Sequence, residues 1–335
     1  MSAHAPIAVL GAGSWGTALA ILLARNGHNV RLWGNEAGAM ARMARERCNT
    51  RYLPDAPFPT GLAIHADLSA VLADRAAALV VVPSHAFRTL LTAIAPLLAP
   101  GTPVAWATKG LELSSGKLLH QVAGEILPAG TPQAVISGPT FAREVAAGLP
   151  TATTVAGSDT AAAEHFAALL HGTTFRAYTS TDRIGVELGG ALKNVLAIAA
   201  GISDGLGLGA NSRAALITRG LAEMMRLGAA LGGQRETFEG LAGVGDLVLT
   251  CTDDQSRNRR MGLALGRGQS REAAHKAIDQ VVEGVDTAHE IHQLGRRHGV
   301  ELPISEQVYR VLYEGVAPKD AVHALLARDP KPEAG

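Results

Sequence analysis

Residues 7–36 read IAVLGAGSWGTALAILLARNGHNVRLWGNE: a short apolar run, a glycine-rich turn, an apolar helical stretch and a second short run. Gly11, Gly13 and Gly16 fit the pattern G-x-G-x-x-G, directly after the predicted strand and at the start of the predicted helix. In this context the first glycine permits a tight turn, the second lets a pyrophosphate approach the backbone, and the third brings helix and strand together. The stretch therefore predicts a dinucleotide-binding βαβ unit rather than a plain strand-turn-helix corner.

Short apolar runs alternate with Ala- and Leu-rich helical stretches through about residue 180. The predicted strands cover residues 7–10, 29–33, 79–82, 104–107, 134–137, 151–157 and 173–180. This alternation predicts an α/β, Rossmann-like domain with a mainly parallel, doubly wound sheet. From Val186 onward, apolar residues recur at helical spacing and no strand pattern follows. We expect an NAD(P)-binding Rossmann domain over residues 1–183 and an all-α substrate-binding and catalytic domain over residues 184–335.

Composition narrows the class of protein. Lys plus Arg equals Asp plus Glu at 30 each, so no net field recruits nucleic acid or an anionic membrane. We see neither an apolar run approaching the roughly 20 residues of a membrane span nor a signal-peptide pattern. Cys48 and Cys251 are expected to be free thiols. The chain is therefore expected to be cytoplasmic, with no nucleic-acid partner and no stable membrane insertion, and its tail, residues 328–335, to be disordered.

Polar residues follow the predicted strands at the sheet edge where a doubly wound fold binds its ligand. Lys109 could pair with a phosphate or polarise a carbonyl there, although a lone lysine is often a surface residue. Gly138 and Thr140 lie in a turn before a helix that is predicted to begin near Phe141. Thr140 could bind an anion or simply cap that helix.

The choice between NAD and NADP stays open. Asn35 follows the second predicted strand, where an NAD-selective acid would be expected, while Glu36 lies about 20 residues past Gly16 and Arg31 is close by.

A lysine interrupts the apolar stripe of the helix predicted over residues 186–200. Lys193 and Asn194 are preceded, one turn earlier, by Gly189 and Gly190. Each glycine costs about 1 kcal/mol of helix propensity relative to alanine. A close approach by another backbone or by a ligand is therefore expected, with helix packing alone as the alternative.

A second polar cluster lies in GVGDLVLTCTDDQSRNRR, residues 243–260. Asp246 and Thr250 share one face if this segment is helical, although Asp246 could equally be an N-cap after Gly245. Beyond them lie donors that suit one small anion better than a polynucleotide: Ser256, Arg257 and Asn258, with Arg259 and Arg260 beside them.

Three histidines share the segment HEIHQLGRRH. The spacing of His289, His292 and His298 could suit a metal, but the flanking charges favour a solvated helix face, and no metal is expected.

Taken in order, these motifs resemble bacterial NAD(P)-dependent glycerol-3-phosphate dehydrogenases over nearly the whole chain. The glycine loop is common to many dehydrogenases, whereas the lysine helix followed by TCTDDQSRN (residues 250–258) is far more specific. The other matching segments are VVPSHAFR (81–88), WATKGLE (106–112), SGPTFAREVAAGLPTA (137–152) and VVEG (281–284).

The resemblance implies reversible reduction of dihydroxyacetone phosphate to sn-glycerol 3-phosphate with NAD or NADP, for glycerophospholipid biosynthesis. It also implies a homodimer and a C-terminal domain similar to that of 6-phosphogluconate dehydrogenase. By motif position, Lys193 corresponds to the proton donor and acceptor, with Asp246, Lys109 and Thr250 in the catalytic group. The implied substrate contacts are Lys109, Gly138, Thr140, Asp246, Ser256, Arg257 and Asn258. The implied cofactor contacts, besides the three glycines of the loop, are Ser14, Trp15, Asn35, Tyr52, Lys109, Ala142, Arg257, Val281 and Glu283.

For acid-base work near neutral pH, the pKa of Lys193 has to fall by about 3 units from about 10.4. Burial and a second cation at Lys109 would lower it, whereas Asp246 would oppose the drop and is expected to orient the ammonium.

Two alternatives remain. The same architecture serves dehydrogenases of other small acids, against which the TCTDDQSRN segment argues. A protein that senses NAD(P)H without turnover is a second reading, against which Lys193 and Asp246 argue because a sensor needs no proton donor.

Overall fold

The computed structural model describes residues 5–329 and 332, so most of the predicted disordered tail lies outside the described residues. The strands in this part of the chain are β1 (Ile7–Leu10), β2 (Val30–Trp33), β3 (Cys48–Asn49), β4 (Leu53–Pro57), β5 (Leu62–His65), β6 (Ala77–Val80), β7 (Val104–Trp106), β8 (Gln133–Ser137), β9 (Thr151–Gly157) and β10 (Phe175–Ser180).

The first seven helices are distributed between these strands. They are α1 (Ser14–Arg25), α2 (Ala37–Glu46), α3 (Leu68–Leu72), α4 (Ser84–Ile94), α5 (Leu119–Ile126), α6 (Ala142–Ala147) and α7 (Thr160–Leu170). After β10 the described chain is helical: α8 (Arg183–Gly205), α9 (Gly209–Leu231), α10 (Arg235–Glu239), α11 (Asp246–Thr252), α12 (Arg257–Gly266), α13 (Arg271–Ile278), α14 (Glu283–His298), α15 (Pro303–Tyr313) and α16 (Pro318–Leu326).

The predicted doubly wound sheet is confirmed. Eight strands form one sheet in the order β10-β9-β8-β7-β6-β1-β2-β5. All neighbouring strands are parallel except β8 and β9, so β9 and β10 run opposite to the other six. Ile7 and Val9 of β1 join one apolar cluster, whereas Ala8 and Leu10 join another on the opposite face. Both faces of the sheet are therefore buried, as a parallel sheet requires.

Three strands were not predicted, and two of them support the glycine loop. β3 and β4 form a hairpin outside the main sheet. The Asn49 side-chain amide donates to the Ala12 carbonyl at 3.1 Å and to the Thr17 hydroxyl at 2.8 Å. The hairpin is thereby tied to the loop between β1 and α1. The third strand, β5, lengthens the sheet beyond β2.

The long helix α8 is the core of the helical part, where it packs against α9, α11, α12 and α14. Contrary to the sequence analysis, α8 is long and apolar enough to cross a membrane, but 94% of its most apolar stretch is buried inside the protein. A helix that is apolar on all sides and enclosed by other helices has the composition of a core helix.

The course of α8 along the sheet brings the two parts of the chain together. At its start, Arg183 donates at 3.2 Å to the side chain of Gln133, the first residue of β8. Two turns later, a Cβ added to Gly190 would lie 2.8 Å from the hydroxyl of Ser137, the last residue of β8. The helix therefore runs beside β8 from its amino end to its carboxyl end, where the ligand edge of the sheet lies.

Candidate active site

The glycine loop has the geometry of a phosphate cradle. Gly11 has φ +126°, and a Cβ there would lie 2.2 Å from the Val81 carbonyl oxygen. A Cβ on Gly16 would lie 1.8 Å from the Gly11 carbonyl oxygen, so this glycine is required by the contact between α1 and β1. A Cβ on Gly13 would meet nothing within 4 Å. The protein's own packing therefore does not require Gly13, and the open space beside it fits a ligand.

Unpartnered donors face this cradle. Helix α1 begins at Ser14 with no side-chain cap, which leaves backbone N–H groups for an anion. The indole Nε1 of Trp15 is buried and has no hydrogen-bond partner among the described residues. A buried donor without a partner is costly, so its presence in the loop favours a ligand acceptor there. These features fit a dinucleotide cofactor.

The residues near the predicted second ribose do not separate NAD from NADP. Asn35 is exposed between β2 and α2. Arg31 is engaged elsewhere, because its guanidinium donates to the Ala70 and Ala73 carbonyls at 2.9 and 2.7 Å. Arg31 is therefore not a free cation awaiting a 2′-phosphate.

Two lysines share one buried carboxylate at the junction of the sheet and the helices. Lys193 donates to Oδ1 of Asp246, and Lys109 donates to Oδ2 of the same residue at 2.8 Å. Lys109 also lies 3.4 Å from the Gly138 carbonyl oxygen. Lys193 is 6% exposed and Asp246 1% exposed. The structure thus brings together four predicted site residues that are distant in sequence.

Burial dominates the electrostatics of this cluster. It lowers the pKa of Lys193 to about 7; Asp246 opposes the change, and the positive charge of Lys109 adds to it. For Asp246, burial alone would raise the pKa, but Lys109 and Lys193 together hold it below its usual value. Near neutral pH the carboxylate is therefore charged, while the Lys193 amine can both donate and accept a proton.

The structure excludes one alternative for Asp246. It is the first residue of α11 and follows a π-helical turn, Leu241–Gly245, so the N-cap position belongs to Gly245. Its carboxylate binds the lysines instead of capping the helix. Thr250 lies on the same face as predicted, and its hydroxyl donates to the Asp246 carbonyl at 2.6 Å.

The alternative reading of Thr140 as a helix cap is also wrong. Phe141 is the N-cap residue of α6, without a side-chain cap, and the Thr140 hydroxyl donates to the Gly138 carbonyl at 3.1 Å. The hydroxyl therefore folds back over the turn that follows β8, beside the Lys109 ammonium.

Three predicted phosphate donors lie at the start of α12. Ser256 is its N-cap and accepts from the Arg259 N–H at 3.1 Å. Asn258 is buried, donates to the Asn194 side chain at 2.9 Å and accepts from the Gly284 N–H at 2.9 Å. No hydrogen bond or ion pair to another described residue engages the Arg257 side chain. Of the three, Arg257 is thus the group most available to an anion.

The segment of Val281 and Glu283 leads into α14. Glu283 is its first residue, 3.5 Å from the Asn194 amide, and Val281 is exposed. Val281 also lines a 660 Å³ pocket with His85 and Tyr313, and neither Lys193 nor Asp246 contributes to that pocket. The remaining predicted cofactor contacts, Tyr52 and Ala142, are half-buried beside the apolar cluster that includes α1.

The expectation of a solvated face for the three histidines is wrong for His292. This ring is buried, stacks on Tyr309 with centroids 3.9 Å apart, and lies 2.5 Å from a Glu306 oxygen. His298 is exposed, and His289 is half-buried. The charged residues that flank His292 favoured a solvated face, and they gave no indication that this ring packs against Tyr309.

Several buried acids were not identified from the sequence, and Glu187 is one of them. Glu187 of α8 accepts from the Trp106 indole at 2.9 Å, and its other carboxylate oxygen lies 2.7 Å from Nδ1 of His120. It links α8 to the end of β7 and to α5. A lone acid within an apolar helix was the available signal, because a buried acid needs partners.

A doubly wound sheet with a phosphate cradle after β1, and a buried lysine beside the carboxyl ends of its strands, defines a nicotinamide-dependent dehydrogenase with a helical second part. Residues 6–163 and 182–323 match the families described as the N-terminus and the C-terminus of NAD-dependent glycerol-3-phosphate dehydrogenase. The chain belongs to this family of oxidoreductases.

Individual relatives agree. The chain is 62% identical to a glycerol-3-phosphate dehydrogenase (NAD(P)+) of Thioalkalivibrio sulfidiphilus over 98% of both chains. It is 58% identical to one from Pseudoalteromonas translucida over 99% of both. A crystal structure of the glycerol-3-phosphate dehydrogenase of Coxiella burnetii has a TM-score of 0.94 at 52% identity, covering 97% of this chain and 99% of that one. A D-mandelate dehydrogenase shares the fold alone, with a TM-score of 0.65 at 15% identity, covering 95% and 99%.

Proposed function

We propose that this protein reversibly reduces dihydroxyacetone phosphate to sn-glycerol 3-phosphate with NAD(P)H, for glycerophospholipid biosynthesis. The observation that carries the proposal is the buried Lys193–Asp246–Lys109 cluster, which lies where a doubly wound sheet binds its ligands. Family membership supports the substrate, and the geometry supports the reaction type. Residues 1–183 would form the nucleotide-binding domain and residues 184–335 the substrate-binding and catalytic domain.

The cofactor, when bound, supplies a hydride to the ketone carbon of the substrate. Gly11, Gly13 and Gly16, with the backbone N–H groups at Ser14 and Trp15, would hold its pyrophosphate. Further contacts proposed from the family motifs are Asn35, Tyr52, Lys109, Ala142, Arg257, Val281 and Glu283.

Lys193 donates the proton that the developing alkoxide needs, and in the reverse direction it takes the proton from the alcohol. Asp246 holds the Lys193 ammonium in one orientation, and Thr250 closes the turn beneath that carboxylate. Lys109, bound to the second oxygen of Asp246, places a further positive charge beside the substrate oxygen. Positive charge at the position of a developing oxyanion stabilises the transition state.

The substrate phosphate is assigned to the start of α12 and to the turn after β8. Arg257 supplies a free guanidinium, and Ser256 and Asn258 supply polar groups on either side of it. Gly138 and Thr140, in the turn after β8, are proposed as further substrate contacts. Replacing Arg257 with alanine should therefore raise the KM for dihydroxyacetone phosphate strongly; an unchanged KM would remove the assignment.

The deciding experiment follows nicotinamide absorbance on addition of dihydroxyacetone phosphate, first with NADH and then with NADPH. Wild type is compared with Lys193→Ala and with Lys319→Ala, which removes an exposed lysine from α16. Turnover that survives in the α16 variant and vanishes in Lys193→Ala, with cofactor binding intact, would support both the activity and the role of the lysine. The ratio of the two cofactors would resolve the preference left open at Asn35.

Other outcomes separate the alternatives. Cofactor binding without turnover on this ketone, but with turnover on another small acid, would identify a related dehydrogenase. Cofactor binding without turnover on either would favour a sensor of NAD(P)H.

Assembly is proposed from the family resemblance and the apolar helical part, and location from the composition of the sequence. We propose a cytoplasmic homodimer. Sedimentation equilibrium of the purified chain gives its mass in solution, and fractionation of cells places the protein in the soluble or the membrane fraction.

A further inference from the structure

The first turn of α12 contains positive charges where a helix disfavours them. Arg257, Arg259 and Arg260 occupy this turn, and no acidic residue accompanies them. The N-terminus of a helix carries a partial positive charge, and like charges three residues apart repel. Such an arrangement lowers helix stability unless partners or a ligand offset it.

Only one of these arginines is neutralised. Arg259 is buried, pairs with Asp204 at 2.6 Å and also bonds Asp254. No hydrogen bond or ion pair to another described residue engages the side chain of Arg257 or Arg260. The Nε of Arg260 is moreover buried, and it is among the few buried side-chain donors of the described chain that have no partner.

A third arginine approaches from the other part of the molecule. The side chains of Glu144 in α6 and Gln255 before α12 are joined by a 2.9 Å hydrogen bond. This contact places α6, which carries Arg143, beside the residues that precede α12. Burial lowers the pKa of Arg260, and the charges of Arg257 and Arg143 lower it further. Arg260 therefore lies within electrostatic range of both Arg257 and Arg143.

No nearby carboxylate of the described residues forms an ion pair with these three arginines. Glu144 accepts from Gln255, Asp253 accepts from the Gln255 N–H at 2.7 Å, and Asp254 bonds Arg259. The cluster of Arg143, Arg257 and Arg260, called here the arginine cluster, thus holds three positive charges and no ion-paired partner among the described residues. One ligand anion would satisfy both the charge and the buried donor.

We propose that Arg143 and Arg260 bind phosphoryl oxygens together with Arg257, so that one phosphate is held from both the α6 side and the α12 side. The proposal deepens the proposed function and rests on it for the identity of the ligand. A guanidinium presents a planar fork of donors that matches a phosphate group. The phosphate can belong to the substrate or to the pyrophosphate of the cofactor.

The first test needs no turnover. The apo protein is melted in rising inorganic phosphate or pyrophosphate at constant ionic strength, so that screening is the same throughout. Wild type should gain Tm with either anion, because a ligand of the native state stabilises it. Arg260→Gln and Arg143→Gln should each bind the more stabilising anion roughly tenfold or more weakly, as expected for a lost charge-assisted hydrogen bond. The matched control is Arg267→Gln, which removes an exposed arginine from the other end of α12.

A stability readout separates binding from structure. Without phosphate, Arg260→Gln should melt no lower than wild type, because the repulsion with its neighbours is relieved. Arg260→Lys should restore part of the phosphate response. A lower Tm for Arg260→Gln without phosphate, together with an unchanged phosphate response, would overturn the proposal.

Kinetics then assign the phosphate. A rise in the KM for dihydroxyacetone phosphate, with the Kd for NADH unchanged, assigns the arginine cluster to the substrate; the reverse assigns it to the cofactor. As an internal reference, kcat/KM for unphosphorylated dihydroxyacetone should stay unchanged in the first case. If phosphate binding depends on the arginine cluster but the protein shows no turnover, the proposal for the cluster holds and the proposed function fails. If Arg143→Gln and Arg260→Gln both turn over substrate and bind phosphate as wild type does, the proposed function holds and the proposal for the arginine cluster is wrong.

Discussion

The titration of Lys193 makes the sharpest prediction. Its pKa of about 7 lies 3.5 units below the ordinary 10.5, and 3.5 × 1.36 gives about 5 kcal/mol of differential interaction between the charged and the neutral amine. As the proton donor in ketone reduction, the charged form should be half populated near pH 7 and about 1% populated near pH 9. The hydride-transfer step should therefore slow roughly 50-fold over this range.

Oxidation of the alcohol should show the opposite dependence, because it requires the neutral amine. Its rate should rise about tenfold per pH unit below the pKa and level off above it. The assay is single-turnover oxidation and reduction of the nicotinamide, with deuterium at the transferred position to identify the chemical step. The matched variant is Lys193→Arg, which keeps a positive charge without a titration near neutral pH.

A flat profile for the isotope-sensitive step between about pH 6 and pH 9 would refute this reasoning. It would mean that Lys193 stays charged and acts on the oxyanion only through its field. Lys193→Arg should then retain much of the wild-type rate, whereas the titrating mechanism predicts a large loss in that variant.

Three further outcomes are expected. Gly13→Ala should weaken cofactor binding in a fluorescence titration and barely change Tm. Gly16→Ala should lower Tm, because its Cβ would collide with the Gly11 carbonyl. Equal losses of Tm in the two variants would contradict the different roles given to these glycines. Asp246→Asn removes the carboxylate that the Lys109 ammonium and Lys193 share, so urea unfolding should show a loss of up to about 3–5 kcal/mol, the upper part of which applies where Lys193 is charged. Folding lowers the pKa of Asp246, so its charged carboxylate adds to the free energy of unfolding at pH values above its pKa in the unfolded chain. This addition is lost as the pH falls through the acid range, and Asp246→Asn should not show that loss. Glu187→Ala should lower the free energy of unfolding in urea by about 1–3 kcal/mol, and Glu187→Gln should lower it less because it keeps an acceptor for the Trp106 indole. Equal losses in the two variants would mean that the charge of Glu187, not its hydrogen bond, stabilises the fold.

Periodicity predicted the buried strands and the long core helix well, since apolar runs bounded by glycine and proline leave few alternatives. The first strand and the strand over residues 151–157 begin and end as predicted. The β3–β4 hairpin was missed because Pro54, Pro57 and Pro59 break the strand pattern, and Asn49 ties it to Ala12 of the glycine loop and to Thr17 of α1. Because these are tertiary contacts, no local sequence pattern predicts them.

The sequence predicted which residues form the site, but not which of their side chains contact one another. The family resemblance indicated that Lys193 and Asp246 carry chemistry, but whether Asp246 caps a helix or binds a lysine depends on which element faces it. The shared use of Asp246 by Lys193 and Lys109 arises only when α8, α11 and the end of β7 meet. Likewise, RNRR reads as one basic run, although the structure neutralises Arg259 and gives Arg257 and Arg260 no ion-pair partner within residues 5–329.

The course of α8 beside β8 fixes the length of one stretch of chain. Ten residue steps lead from Arg183 to Lys193, about 15 Å at 1.5 Å per helical residue, and the four steps from Gln133 to Ser137 in β8 cover about 13 Å at 3.3 Å each. One inserted residue between Arg183 and Lys193 would turn the amine by about 100° and advance it by 1.5 Å, away from Asp246. Loops elsewhere can grow or shrink, but this interval cannot. Exchanging helical parts between relatives therefore requires a junction before Arg183, with the sheet residues that contact the first turns of α8 carried along.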